Sequence, residues 1–286
     1  MGFKTYKDVL LEAVLFLEEK EDEAIDINAP LTLIQEKHHW SEQTLLKNED
    51  QVIPAEEEKW LNAQLDKIAN YYPVQYILGY TSFYHRQFMV NEKVLIPRKE
   101  TEWIVDYVLK HEKNKKQTVV DLGCGSGCIG ITLKKERSLF DVSLLDISKD
   151  ALSIAKKNAN DLNAEVHFQE SDVLSCYQGE KIDIFISNPP YISEAEKGVM
   201  SESVKRFEPK EALYAENNGL FIYQKIAKEL PTLLSEEGRI YLEIGYGQGE
   251  AVKTLMQEAF PAFKVSLLKD QYDNDRLIVV RKEENK

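Results

Sequence analysis

From about residue 100 onward, short apolar runs alternate with helix-length amphipathic stretches, and this alternation constrains the fold more than any other feature of the chain. Strands are expected at 118–121, 142–146, 166–169, 182–187, 239–244, 263–268 and 276–281, with helices at about 100–111, 128–136, 149–162, 217–235 and 247–259. Runs such as Ile182-Asp183-Ile184-Phe185-Ile186-Ser187 have the composition of a strand covered on both faces. Alternation of this kind argues an α/β fold with a doubly wound parallel sheet. The last two strands follow one another without a helix, so they are expected to pair as an antiparallel hairpin.

The chain divides near residue 73. Residues 1–72 read as helical. Val9, Ala13, Phe16 and Leu17 share one face of a helix over 4–20, and Ser41 is placed to cap a short helix through Leu46. Pro54 opens a helix whose first turn carries Glu56, Glu57 and Glu58, where acids complement the helix dipole; Trp60, Leu61, Leu65 and Ile68 form its buried face. This part holds 7 Lys or Arg and 16 Asp or Glu, a balance of −9 within a total of −13. Residues 73–97 read as a linker and a β-hairpin with Asn91-Glu92-Lys93 at the turn, and residues 98–286 form the larger domain. His38 and His39 are adjacent, so they do not share a helical face, and they read as surface or capping residues rather than metal ligands.

With 286 residues, 43% apolar and 30% charged, the chain has the composition of a soluble globular protein. No run approaches the ~20 apolar residues of a membrane helix. The apolar stretch from Leu10 to Leu17 is short and interrupted by Glu12, unlike a secretory leader, so a cytoplasmic location is expected. Cys124, Cys128 and Cys176 are too few and wrongly spaced for a disulfide framework or a zinc site. The net negative charge argues against direct binding of long nucleic acid, which calls for a basic face. The run Lys110, Lys113, Lys115 and Lys116 reads as a solvated helix end.

Two motifs carry chemistry. Thr118-Val119-Val120 leads into Asp121-Leu122-Gly123-Cys124-Gly125-Ser126-Gly127 and then a helical stretch, a nucleotide-binding arrangement. The next strand ends at Asp146, 23 residues past Gly123, close to the ~20-residue spacing of a ribose-binding carboxylate. Gly125, Gly127 and Gly130 also match G-x-G-x-x-G, so a dinucleotide is considered. No second mononucleotide half and no hydride-transfer constellation accompany it, and the second motif fits a methyl donor better. That motif, Asn188-Pro189-Pro190-Tyr191, follows the 182–187 strand, at the carboxyl end where ligands of open α/β sheets bind. The Asn188 side-chain oxygen and the Pro189 carbonyl can accept the two hydrogens of a planar NH2 group, Pro190 adds stiffness and no donor, and Tyr191 can close its ring over the group. Two fixed acceptors suit a poorly nucleophilic amide or exocyclic amine, whose nitrogen gains positive charge during attack.

In this order and spacing the residues resemble the HemK/PrmC family of release factor glutamine methyltransferases. The resemblance runs from Pro73 to the C-terminus. It takes in Pro73-Val74-Gln75-Tyr76-Ile77-Leu78-Gly79, Phe83-Tyr84 with Phe88, Val94-Leu95-Ile96-Pro97-Arg98, Lys99-Glu100-Thr101-Glu102 and the two motifs above. Glu208-Pro209 with Ala212-Leu213, Leu242-Glu243-Ile244-Gly245 and Asp275-Arg276 follow. It implies the Rossmann-like S-adenosylmethionine-dependent methyltransferase fold, a seven-stranded sheet with an antiparallel final hairpin, behind a small all-α N-terminal domain that recognises substrate. It implies S-adenosylmethionine as cofactor. Asp121, Gly123, Cys124, Gly125, Ser126 and Gly127 would lie at its amino-acid end, Asp146 at the ribose, Asp172 and Val173 at the adenine, and Asn188 near the methyl group. The implied substrate is the glutamine of the Gly-Gly-Gln loop of peptide-chain release factors, with Asn188, Pro189 and Tyr191 catalytic and Pro190 beside them. Arg98, Glu100, Glu102 and Glu208-Pro209 fall at the rim of the implied site.

Three positions depart from the family pattern: His85 stands where Gly is usual, Lys99 where Pro is usual, and Val173 where an aromatic often follows a Ser-Asp pair. Enzymes that methylate exocyclic amines of nucleic-acid bases share Asn-Pro-Pro-Tyr and are the alternative reading. They usually carry a basic channel or an added recognition domain, against which the acidic helical part counts.

Overall fold

The computed structural model describes residues 3–283. It divides into two compact units, Met1–Tyr80 with Met200–Phe207, and Thr81–Val199 with Glu208–Lys286.

The first unit is helical. α1 (Tyr6–Glu18) opens with a capping box in which Thr5 accepts from the Asp8 amide and Asp8 accepts from the Thr5 amide. α2 (Ala29–His38), α3 (Glu42–Asn48), α4 (Ala55–Ala69) and α5 (Val74–Leu78) follow, and α9 (Glu202–Phe207), from later in the chain, belongs here too. Ser41 caps α3 by accepting from the Thr44 amide, and Pro54 precedes α4, as the sequence suggests. The core gathers Val9, Ala13 and Leu17 of α1, Leu33 and Ile34 of α2, and Leu61, Leu65 and Ile68 of α4. The sequence reading does not anticipate α2. Asn28 makes no side-chain cap bond at its start, and its buried stripe is too short to register as a helical period. His39 ends α2 in the left-handed conformation. His38 is drawn into a polar cluster instead, its Nε2 lying 3.2 Å from the Tyr6 hydroxyl and 2.5 Å from Glu57. Phe207 of α9 meets Tyr72 edge-on with ring centres 4.9 Å apart, and Arg206 lies 4.5 Å over the Tyr71 ring.

The second unit opens with a hairpin of β1 (Tyr80–Phe83) and β2 (Arg86–Met89). Its turn is Tyr84-His85, not Asn91-Glu92-Lys93. Both turn residues are left-handed, with φ of +48° and +60°, as a two-residue turn matched to strand twist demands. Asn91 instead makes a separate local turn, its side chain accepting from the Lys93 amide. The left-handed backbone at residue 85 is what glycine adopts freely, and His85 holds it at a steric cost.

α6 (Lys99–His111) leads to a seven-stranded sheet of β3 (Gln117–Leu122), β4 (Phe140–Asp146), β5 (His167–Glu170), β6 (Ile182–Ser187), β7 (Leu234–Glu243), β8 (Lys264–Lys269) and β9 (Asp275–Arg281), in the order β5-β4-β3-β6-β7-β9-β8. The first five are parallel, and β9 pairs antiparallel with both β7 and β8. The crossovers are α7 (Cys128–Glu136), α8 (Lys149–Asp161), α10 (Phe221–Glu229) and α11 (Gly249–Ala259). Because strand side chains alternate, neighbours part company. Val119, Ile184, Ile186 and Tyr241 pack with Ile104, Ile131 and Leu152 on one face. Val120, Phe185, Ile240 and Leu242 pack with Tyr223, Ile226, Val252 and Met256 on the other.

One helix is shorter than its sequence suggests. α10 ends at Glu229 and passes into a single 3₁₀ turn, Leu230–Thr232, because Pro231 has no amide hydrogen to continue the ladder. β7 consequently begins at Leu234 rather than near 239, and its register against β6 shifts between Ile182 and Ile184. Among the described residues no helix is long and apolar enough to cross a membrane.

Candidate active site

β4 and β5 lie on one side of β3, and β6 and β7 on the other. The winding therefore reverses between β3 and β6, and a crevice opens at such a switch point outside the carboxyl ends of the strands. Leu122 at the end of β3 is in register with Ser187 at the end of β6, and the Ser187 hydroxyl donates to the Leu122 carbonyl at 2.8 Å. The glycine loop and Asn-Pro-Pro-Tyr thus leave the sheet side by side.

The glycine loop is pinned from below. The Cys124 amide donates to the Leu145 carbonyl at 3.0 Å, and the Ser126 carbonyl accepts from Asn158 at 2.8 Å. Gly125 is left-handed and a Cβ there would meet nothing within 4 Å, so its backbone faces open space. Gly130, one turn into α7, is needed for the opposite reason: a Cβ would fall 2.2 Å from Leu144.

Two carboxyls hold the loop. Asp146 accepts from the Gly125 amide through Oδ2 and from the Ser148 amide through Oδ1, each at 2.9 Å. Burial raises its pKa, and the Ser148 and Gly125 amides oppose the rise. Asp121 is fully buried. Its Oδ2 accepts from the Gly130 amide at 2.8 Å, while Oδ1 is buried without a hydrogen-bond partner among the described residues. Burial, with a smaller push from Asp146, lifts Asp121 to about 7. Burial likewise pushes the Cys124 thiol well up.

Beyond β5, Asp172 pairs with Lys225 at 2.5 Å. Val173 is buried in the cluster that holds Val120, Leu122 and Leu145 and carries φ of +54°, a genuine outlier for a β-branched residue. Ile147, directly after Asp146, is 61% exposed.

Asn188 is tied back to α6. Its Nδ2 donates to the Thr101 hydroxyl at 3.3 Å, and that hydroxyl donates to Glu243 Oε2, at the end of β7, at 2.9 Å. Thr101 and Glu243 are each 2% exposed. Burial lifts Glu243 to about 7, against the Thr101 hydrogen bond and the field of Arg276. Tyr191 is held by its backbone: Gln248 Nε2 donates to its carbonyl at 2.8 Å. Gly219, at φ +81°, approaches that carbonyl so closely that a Cβ would sit 2.0 Å from it. Burial pushes the Tyr191 hydroxyl up to about 12, so it is neutral. Arg98 pairs with Glu208 at 2.6 Å, whose other oxygen accepts from the Ile96 amide at 3.2 Å. Lys99 is the first residue of α6, where proline is favoured because the amide hydrogen has no helical partner.

The chain matches the family model described as the PrmC N-terminal domain over residues 8–79 and that of the Methyltransferase small domain over residues 101–210. It is 42% identical to a release factor glutamine methyltransferase of Enterococcus faecalis over 276 residues, covering 96% of this chain and 99% of the relative. The chain belongs to the release factor glutamine methyltransferase family. A relative of the same name from Bacillus subtilis is 44% identical over 221 residues, covering 75% of this chain and 77% of the relative. A methyltransferase from Pyrococcus furiosus shares the fold, with a TM-score of 0.54 and 15% identity over 77% of this chain and 98% of that one.

In this chain the switch point brings together Asp121, the glycine loop, Asp146 and Asn188. Asp172 is already engaged by Lys225, and Val173 is mostly within the core. The link from Thr101 to Glu243 joins two residues that the sequence marks only through family motifs. Its signal was a lone carboxylate in the apolar run Ile240-Tyr241-Leu242-Glu243-Ile244, since a buried acid needs partners. Ile147 carried a signal too, as an apolar residue directly after a strand-terminal Asp.

Proposed function

We propose that this chain transfers a methyl group from S-adenosylmethionine to the side-chain amide nitrogen of the glutamine in the Gly-Gly-Gln loop of release factors. The observation that carries this reading is the register of β3 with β6, which sets a glycine loop fit for the donor beside a pair of fixed carbonyl acceptors. The residues of the loop suit S-adenosylmethionine. Asp121 Oδ1, without a partner among the described residues, and the open backbone at Gly123 and Gly125 match the ammonium and carboxylate of the cofactor's amino-acid end, with Cys124, Ser126 and Gly127 completing the loop. Each Asp146 oxygen has one amide donor and retains a lone pair for a ribose hydroxyl. Ile147 offers exposed apolar surface to the adenine, with buried Val173 at its edge, and Asp172, which pairs with Lys225, keeps its second oxygen as the nearby acceptor.

When bound, S-adenosylmethionine supplies a methyl carbon that leaves with the C–S electron pair retained on sulfur, while the alkylated amide sheds its proton to water. The chain's own residues position the acceptor. Asn188 Oδ1 and the Pro189 carbonyl accept the two N–H bonds of the glutamine amide and stabilise the charge it gains. Pro190 keeps that backbone stiff, and the neutral Tyr191 ring covers the amide plane. Arg98 and Glu208 form a wall of the entrance. Most of the rate enhancement is positional. Residues 1–72 recruit the release factor and take no part in the chemistry.

The test is transfer of labelled methyl from S-adenosylmethionine to an unmethylated release factor, to the same factor with the Gly-Gly-Gln glutamine replaced by alanine, to duplex DNA and to ribosomal RNA. Label on the first alone is expected. Label on nucleic acid with none on the release factor overturns the reading.

A further inference from the structure

A chain of three polar side chains runs from buried Glu243 at the end of β7, through buried Thr101 in the first turn of α6, to half-buried Asn188. Thr101 stands in the middle, with one hydrogen to donate and lone pairs to accept. Its hydroxyl donates to Glu243 Oε2 at 2.9 Å. Having spent its hydrogen there, it can only accept from Asn188, so Nδ2 must face it, at 3.3 Å. The two orientations of an asparagine amide have nearly the same shape; only the hydrogen bonds choose between them. We infer that Thr101 and Glu243 are positioning residues that fix the Asn188 amide with its nitrogen inward, leaving Oδ1 as the acceptor for the substrate N–H. This rests on the proposed role of Asn188 and adds to it a reason why that side chain presents oxygen and not nitrogen.

The relay has a polarity. With Glu243 ionised, hydrogens point from Asn188 to Thr101 to Glu243. With Glu243 protonated, its own hydrogen can go to Thr101, freeing the hydroxyl to donate to Asn188 and turning the amide about. A flipped amide presents two hydrogens to a substrate NH2 that needs an acceptor. Several groups face Glu243. Arg276 and Arg98 favour its charge, and Glu100 opposes it. The Tyr191 hydroxyl, the Tyr223 hydroxyl (which donates to the Glu243 carbonyl at 2.7 Å) and the Cys128 thiol are kept neutral by burial. Burial holds Glu243 itself at about 7, so the reversal falls near neutral pH.

The test is single-turnover methyl transfer to a release factor at saturating S-adenosylmethionine, with the full chain. Thr101→Val keeps the volume and removes the hydroxyl; the rate should fall roughly tenfold, the order expected when a buried polar group loses its partner. Cofactor affinity, read by calorimetry, should stay within about twofold, since no cofactor contact is lost. Thr101→Ser should restore most of the rate. In an Asn188→Ala background Thr101→Val should cost nothing more, because a residue that acts through Asn188 has nothing left to act on. The parent rate should decline on acidification through about 7, and Glu243→Gln should be flat over that range. Parental rates in Thr101→Val, a full tenfold loss persisting in the Asn188→Ala background, or an acid limb unmoved in Glu243→Gln would each overturn the inference. An Asn188→Ala enzyme that turns over like the parent would instead overturn the reading of Asn188, and the same series shows which has failed.

Discussion

The helical unit and the sheet unit treat their carboxyl groups in opposite ways. In the helical unit, hydrogen bonds hold acids at or near the surface below their usual range: the Thr5 amide and hydroxyl lower Asp8, the Tyr71 hydroxyl and the Ala24 amide lower Asp22, and Lys205 lowers Glu202. Its buried acid, Glu57, has both Tyr6 and His38 as partners. In the sheet unit, burial raises Asp121, Asp146 and Glu243, all at the carboxyl ends of strands, and Asp121 keeps an oxygen with no partner among the described residues. Asp270, in the turn between β8 and β9, is an exception there. Burial works against its charge, but the Tyr272 and Asn274 amides and Arg276 hold its pKa down. The sheet unit also pairs buried acids, Glu112 with Tyr241 and Arg239 and Glu208 with Arg98 and the Ile96 amide. What sets it apart is the group of strand-end carboxyls that burial raises.

The largest effect that tests this contrast is on the reaction. Asn188→Ala should reduce the single-turnover rate by roughly a hundred- to a thousandfold, the loss seen when one preorganised hydrogen-bonding group is removed, with cofactor affinity changed far less. Asp146→Ala comes next: calorimetry should show S-adenosylmethionine binding weakened by about tenfold to a hundredfold as charge-assisted hydrogen bonds are lost. An unchanged affinity would remove Asp146 from the site and erase half the contrast.

The pH dependence of stability should separate the units. Asp121 and Glu243, raised to about 7, keep protons in the folded protein that the unfolded chain has released. Their contribution is therefore present at low pH and lost as pH rises through about 7. Asp8, Asp22 and Glu202 have the opposite sign: their contribution is present above the ordinary carboxyl range and lost as pH falls through their depressed values. Segment-resolved hydrogen exchange, corrected for intrinsic rates, should show β3 and β7 losing protection between about pH 5 and 8 while α1 does not. Asp121→Asn with Glu243→Gln should flatten that slope, which is on the order of 1 kcal/mol per pH unit for each group. A slope unchanged in the double variant would mean these carboxyls are not the cause. The smallest effect is expected at the hairpin. His85→Gly relieves a left-handed side chain and should stabilise by about 1 kcal/mol or less, the steric relief being partly offset by glycine's greater freedom when unfolded. A rise in Tm of a few degrees would show it.

The two units also differed in how readily their sequences could be read. In the sheet unit the apolar runs of the central strands, such as Ile182–Ser187, set the frame, and six of the seven strands fall within two residues of where periodicity places them. The exception is β7, whose early start depends on Pro231 and on a register shift against β6, neither of which periodicity records. In the helical unit α2 is hard to read because its buried stripe is marginal over ten residues, and the start signal of Asn28 and Pro30 is one that turns share. The hairpin turn was misplaced because Asn91 advertises a turn by composition, while Tyr84-His85 adopt the left-handed conformation only because the strands around them require it. The glycine loop, Asp146 and Asn188 were legible because each sits at a fixed offset from a strand. The relay through Thr101 was not, because it joins residues 87 and 142 positions apart, and a contact of that range is a property of the fold.

The shared ladder between β3 and β6 has a consequence for inhibitor chemistry. Leu122 and Ser187 are partners in one parallel pairing, so the loops assigned to methyl donor and glutamine amide spring from points one inter-strand gap apart, about 4.8 Å. A bisubstrate compound that joins an adenosyl group to a glutamine side chain would need only a very short tether. A backbone ladder, being cooperative and buried, holds that distance nearly constant, so lengthening the tether by even a few methylenes should cost affinity rather than find slack.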